Sequence, residues 1–174
     1  MSSTILFATQ GVLGYVGWLL CFCVYIWPRL KAMEHLEAQR AIATLHSFRF
    51  LGLVVLLPGV VGPHFPASLA VVGAYWDLAT AVLAMLALLT VRIRPLFWLF
   101  VVAFNLVGVV GLILTYYHAV QVDLPAIAGE FGAAFPIPVL YVPLQMITHV
   151  AAFYLLVRSW AVSPAGRLLP GSAG

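Results

Sequence analysis

The chain has 174 residues, of which 64% are hydrophobic and only 7% charged, and its mean hydropathy is +1.11. A water-soluble domain carries about 25% charged residues, so a soluble globular domain is excluded: these few charges could not cover its surface. The formal net charge is +3, but the basic residues are too few and too scattered for a nucleic-acid-binding stripe.

The first apolar run, residues 4–27, holds no charge. No basic stretch precedes it, as a secretory signal would require, so it reads as a retained helix. Within it, Gly11, Gly14 and Gly17 recur every three residues, and small residues let helix backbones approach in lipid. Cys21 and Cys23 are the only cysteines; two apart on a helix, they face different sides and do not bridge. Residues 29–44 are polar at Arg29, Lys31, Glu34, His35, Glu37, Gln39 and Arg40. Leu30, Met33, Leu36 and Ala43 add a weak apolar stripe at helical spacing. A short interfacial helix is expected here, with a solvated polar face and an exposed Glu37–Arg40 or Glu37–Lys31 pair of little energy.

The second run, about residues 41–61, contains His46 and Arg49, and Pro58 near its end is expected to kink it. Residues 63–66 then give a gap without a base. The third run, about 68–91, contains Asp77, and Arg92 and Arg94 follow it. The fourth, 95–117, contains Asn105 and the packing glycines Gly108 and Gly111. Residues 119–135 form a turn-rich loop with Asp123 and Glu130, and Val122, Leu124, Ile127 and Phe131 are placed to fold it back as a cap. The fifth run, about 136–160, opens with Pro136, Pro138 and Pro143, carries Gln145, Thr148 and His149, and ends near Arg158. The tail, residues 163–174, contains Arg167 and is rich in Pro, Gly, Ser and Ala; it is expected to be flexible.

A helix needs about 20 apolar residues to cross the hydrocarbon, and these five runs supply them. Strands of a barrel would be about 10 residues with alternating polarity. Lipid offers no partner to an open backbone, so the runs must be helices. The fold class is therefore an all-α membrane protein, with a single five-helix transmembrane domain over residues 1–162. Basic residues occupy alternate gaps, and the positive-inside rule then gives an external N-terminus and a cytoplasmic C-terminus. Aromatic residues near the helix ends, Tyr116, Tyr117 and Tyr141 on one side and Trp27, Trp98 and Trp160 on the other, read as interfacial belts.

Ionisable residues inside a span are costly, and they mark functional sites by default. Counting the helical rise from the external ends puts Arg49, Asp77, Asn105, His149 and His46 roughly 13–22 Å down, with Gln145 one turn above His149. Four helices thus bring their strongest polar groups to one layer: His46, Arg49, Asp77, Asn105, Gln145 and His149. Arg49 and Asp77 are opposite charges within spans. A lone charge at the bilayer centre costs ~2.5–3.5 kcal/mol on insertion scales, so the two are expected to pair. That pair can be a structural staple or part of a ligand site. His46 and His149 are the minimum set for axial ligation of haem b, with Arg49 at a propionate, although a buried histidine held by a carbonyl, Gln145 or Asn105 is the commoner arrangement. A zinc site lacks a full ligand set. There is no Gly-rich nucleotide loop, no Gly-x-Ser-x-Gly elbow and no His-Glu-x-x-His.

Leu45-His46-Ser47-Phe48-Arg49-Phe50-Leu51-Gly52-Leu53, Gly73-Ala74-Tyr75-Trp76-Asp77-Leu78, Phe104-Asn105-Leu106-Val107-Gly108 and Ile147-Thr148-His149 resemble segments of small polytopic bacterial membrane proteins with no known activity. The resemblance spans the second to fifth runs and implies a bacterial inner membrane. It implies no activity. The expected function is binding of a small ligand or cofactor within the helix bundle. The alternatives are an accessory subunit of a larger membrane complex, with a purely structural polar layer, and an intramembrane enzyme acting on a lipid-like substrate. The expected partners are the bilayer, other membrane subunits or further copies of the chain, and not nucleic acid.

Overall fold

The computed structural model describes residues 2–162, with side chains through Arg158. The expected flexible tail at 163–174, Arg167 and the Trp160 side chain lie outside the described residues. Among the described residues every regular element is helical. Helix α1 runs over Ser3–Ala32. Its first turn is capped by the Ser2 hydroxyl, which accepts from Ile5 N at 3.3 Å, satisfying one of the donors a helix start leaves open. A π turn, Phe22–Ile26, interrupts it ahead of Pro28. Proline has no N–H to return to the preceding turn, and a π turn absorbs that register fault without ending the helix.

Helix α2, His35–Ser47, follows directly and continues as a 3-10 helix over Phe48–Leu56. The expected short interfacial helix is therefore not a separate element. The break falls at Met33 and Glu34, both extended, and the polar residues 35–44 form the first turns of α2 itself. Nor is Pro58 a kink inside a span. Leu57 is already extended, as the residue before a proline prefers, so the helix ends before the proline and the chain turns at Gly59, whose φ is 79°.

Helix α3 spans Ala67–Leu89 and α4 spans Arg94–Gln121. A 3-10 segment, Ala128–Ala134, folds back over the bundle. A second π turn, Ile137–Tyr141, leads into α5, Val142–Val162. Among the described residues, four stretches are long and apolar enough to cross a membrane: Ser3–Ala32, Ala67–Leu89, Arg94–Gln121 and Ile137–Arg158. The more polar His35–Leu56 stretch is not among them.

The loops cluster at one end. Gly62 N donates to the Glu130 carbonyl at 2.7 Å, and Ala133 N donates to Val60 O at 3.0 Å. His64 N donates to Glu130 Oε2 at 3.0 Å, and the Ser3 hydroxyl donates to Ala126 O at 3.0 Å. Leu124 and Phe131 are buried under this lid, and Phe131 meets Phe65 edge-on with ring centroids 4.8 Å apart. At the opposite end an apolar core gathers Leu30, Ile42, Phe97, Val101, Phe104 and Leu155 from all five helices except α3, which contributes Ala84 and Ala87. The polar layer lies between this core and the lid.

Glycine fits one helix to another at a few points. Gly14 presses on the Val139 carbonyl so closely that a Cβ there would overlap it. Pro143, four residues on, cannot donate to that carbonyl. Gly11 and Gly17 meet nothing within 4 Å, so the three-residue stripe amounts to one close contact.

Candidate functional site

The switch from α to 3-10 geometry sets up the site. In a 3-10 helix residues three apart stand in line, so Arg49, Gly52 and Val55 form one row, and Gly52 faces α3. Arg49 is 1% exposed. Its guanidinium holds Asp77 through a single carboxylate oxygen: Nε donates to Oδ1 at 2.8 Å and Nη2 donates to the same atom at 2.5 Å. Gly52 makes room for the other oxygen, because a Cβ there would collide with Asp77 Oδ2. The Asp77 side chain keeps 15% exposure.

The third guanidinium nitrogen, Arg49 Nη1, lies 3.0 Å from His149 Nε2. Arginine only donates, so Nε2 accepts and the ring proton sits on Nδ1. That proton goes to Asn105 Oδ1, 2.9 Å away, and Asn105 Nδ2 donates on to Val101 O at 2.8 Å. From Asp77 to Val101 each donor meets an acceptor. His149 is the neutral tautomer that this order demands. Gly108 permits the convergence, since a Cβ would strike both the His149 ring and Arg49 Nη1.

His46 stacks on His149, with ring centroids 4.1 Å apart and an interplanar angle of 29°. Its Nε2 is 3.1 Å from the Thr148 hydroxyl, and its Nδ1 is buried without a hydrogen bond. This geometry does not fit the haem reading. An iron bound axially by both rings needs a porphyrin between them, whereas these rings are in contact and both Nε2 atoms already have partners. Among the described residues, no group of three or more His, Cys, Asp and Glu side chains is placed to hold a metal ion.

Gln145 differs from the rest of the layer. It is 1% exposed, and its amide atoms make no hydrogen bond of good geometry, although the Tyr141 hydroxyl, one turn earlier, is close enough to interact with it. Buried polar atoms left short of good partners are rare and costly, about 1–3 kcal/mol each. Gln145 and Asp77 both line a cavity of about 600 Å³, within the roughly 300–1,000 Å³ of small-molecule pockets. The cavity runs from this polar end, between α1, α3 and α4, to the lid at Leu124 and Phe131. Its walls are mostly apolar, from Gly11, Gly73, Ala74, Leu112 and Val142 among others. On one flank the hydroxyls of Tyr15 and Tyr116 meet at 2.8 Å.

The structure thus joins Arg49, Asp77, Asn105 and His149 in one hydrogen-bonded chain. It stacks His46 on that chain and sets Gln145 beside it, facing the cavity. Three residues, two beside the layer and Gln39 in the apolar core below it, were not legible in the sequence as buried polar or packing positions. Gln39, read there as part of a solvated face, is 1% exposed and donates to Ala152 O at 3.0 Å. Tyr141, read as an interfacial belt residue, has a buried hydroxyl that approaches the Gln145 amide. Gly52 gave no signal, because its importance depends on Asp77 across the helix pair.

No curated protein and no solved structure matches the chain. Residues 6–157 match the domain of unknown function DUF8737, and the chain belongs to that family.

Proposed function

We propose that this is a five-span membrane protein that holds a small ligand in the cavity ending at Asp77 and Gln145. The observation that carries the reading is Gln145, a buried amide on the wall of an apolar cavity that makes no hydrogen bond of good geometry and has only the Tyr141 hydroxyl, itself buried, to interact with. The adjoining Asp77 Oδ2, left free by the one-oxygen pairing with Arg49, gives the cavity a second polar atom.

The fifth crossing is His35–Leu56. Hydrogen bonds gather the N-terminus and both lid loops at one end, while α1 ends at the other. The chain therefore needs a return path between α1 and residue 60, and α2 with its 3-10 extension is the segment available. Its helical rises sum to about 37 Å, enough for about 30 Å of hydrocarbon. Arg29, Lys31, Arg40, Arg92, Arg94 and Arg158 cluster at the end away from the lid, which by the positive-inside rule is cytoplasmic, with the N-terminus outside. The bacterial inner membrane is the setting that the sequence resemblance implies.

The test is native mass spectrometry of the protein drawn from its own membrane into mild detergent. One small added mass per chain is expected, lost in Gly11→Leu, which projects a side chain into the cavity from an unobstructed position. A bare chain contradicts the ligand reading. Fixed masses of other polypeptides, with no small molecule, favour an accessory subunit in its place.

A further inference from the structure

The charge and hydrogen-bonding balance at the polar end narrows what the cavity accepts; the step rests on the ligand reading above. Arg49 and Asp77 cancel one another, and the donor order through Arg49, His149 and Asn105 leaves His149 neutral. The polar end therefore carries no net charge. A charged head brought here would be desolvated without a counter-ion, a large cost in a low-dielectric interior. A carboxylate or phosphate would also face the unpaired Asp77 Oδ2. An ammonium would compete with Arg49 for the one carboxylate available.

The open valences are one carboxylate acceptor on Asp77 and, beyond its approach to the Tyr141 hydroxyl, a carboxamide on Gln145 that both donates and accepts. A hydroxyl answers both, since it gives one hydrogen and takes another. Two neighbouring hydroxyls, or a hydroxyl beside a carbonyl, would satisfy the pair together. Beyond this end the walls are apolar up to Phe131 and Leu124, and about 600 Å³ gives room for one alkyl chain with its head. We infer that the ligand is a neutral single-chain amphiphile with a hydroxyl-bearing head, seated with its head at Asp77 and Gln145 and its tail toward the lid.

The probes are 1-monoolein, oleate and oleylamine, which share a chain length and degree of unsaturation and differ in the charge of the head. Each is titrated into the detergent-solubilised full chain and read by native mass spectrometry, with Gly11→Leu and Gln145→Leu in parallel. Monoolein should bind about tenfold or more tightly than either charged probe, a difference of about 1.4 kcal/mol. Gly11→Leu should abolish its binding, and Gln145→Leu should remove most of the preference while leaving the tail site open. Oleate or oleylamine binding as well as monoolein would overturn the neutral-head assignment and leave the cavity reading standing. If no probe binds the wild-type chain above the Gly11→Leu background, the ligand reading itself falls. Should Gln145→Leu fail to fold, the wild-type ranking against Gly11→Leu still decides both points, because Gly11 makes no close contact for a side chain to disturb.

Discussion

At the residue scale, the energetics turn on Arg49. A guanidinium at 1% exposure is tolerable only because Asp77 and His149 take up its donors. Removing one partner leaves the other buried and uncompensated, which costs about 3–5 kcal/mol, whereas replacing both by apolar groups is often near neutral. Asp77→Leu and Arg49→Met should each lower stability by about that amount, and the double variant should recover much of it. Thermal unfolding in detergent measures all three; a double variant no better than the worse single one would refute the coupling. Gly108→Ala should cost about 1–3 kcal/mol by overpacking, because its Cβ meets His149 and Arg49, while Gly17→Ala, with open space around it, should be close to neutral. The six polar residues His46, Arg49, Asp77, Asn105, Gln145 and His149 were legible as one layer, because such groups stand out in apolar runs and helical rise fixes their depth. Which atoms they join was not legible. The stacking of His46 on His149, which removes the haem reading, depends on side-chain rotamers that no spacing rule supplies.

At the element scale, hydropathy located the helices well and described their continuity poorly. The π turns ahead of Pro28 and Pro143, the 3-10 stretch Phe48–Leu56 and the early stop at Leu57 are hydrogen-bond register effects, to which hydropathy is blind. The stretch 29–44 misled for a related reason. Its charges indicate an interface, but Arg29 and Lys31 close α1, and Glu37 and Arg40 sit on the first turns of α2, whose other face is buried at Ala38, Gln39 and Ile42. The lid offers a backbone test. Gly132 has φ 50° and ψ −125°, a conformation that side chains resist, and its Cβ would meet Val60 O. Gly132→Ala should cost about 1–3 kcal/mol and loosen the lid, seen as faster amide exchange at Gly62 and Ala133, whose N–H groups join the two loops. Unchanged exchange would mean the lid is held by its apolar contacts alone.

At the scale of the whole molecule, the alternation of basic gaps set the expected topology; the lid hydrogen bonds tie Ser3 and two loops to one end, as the proposed five-crossing arrangement requires. In a chain with Cys21 and Cys23 replaced, a cysteine at Ala126 should react with a membrane-impermeant reagent added to intact cells. One at Arg92 should react only after permeabilisation. Labelling of both from the same side would rule out the five-crossing arrangement. The most direct measurement of the central claim is an experimental density map of the protein purified from its own membrane in detergent, with no added lipid. One elongated feature is predicted in the cavity, its head within about 3 Å of Asp77 Oδ2 and the Gln145 carboxamide, and its tail running toward Phe131. A cavity closed by a side-chain rearrangement that gives Gln145 protein partners on both amide atoms would contradict it.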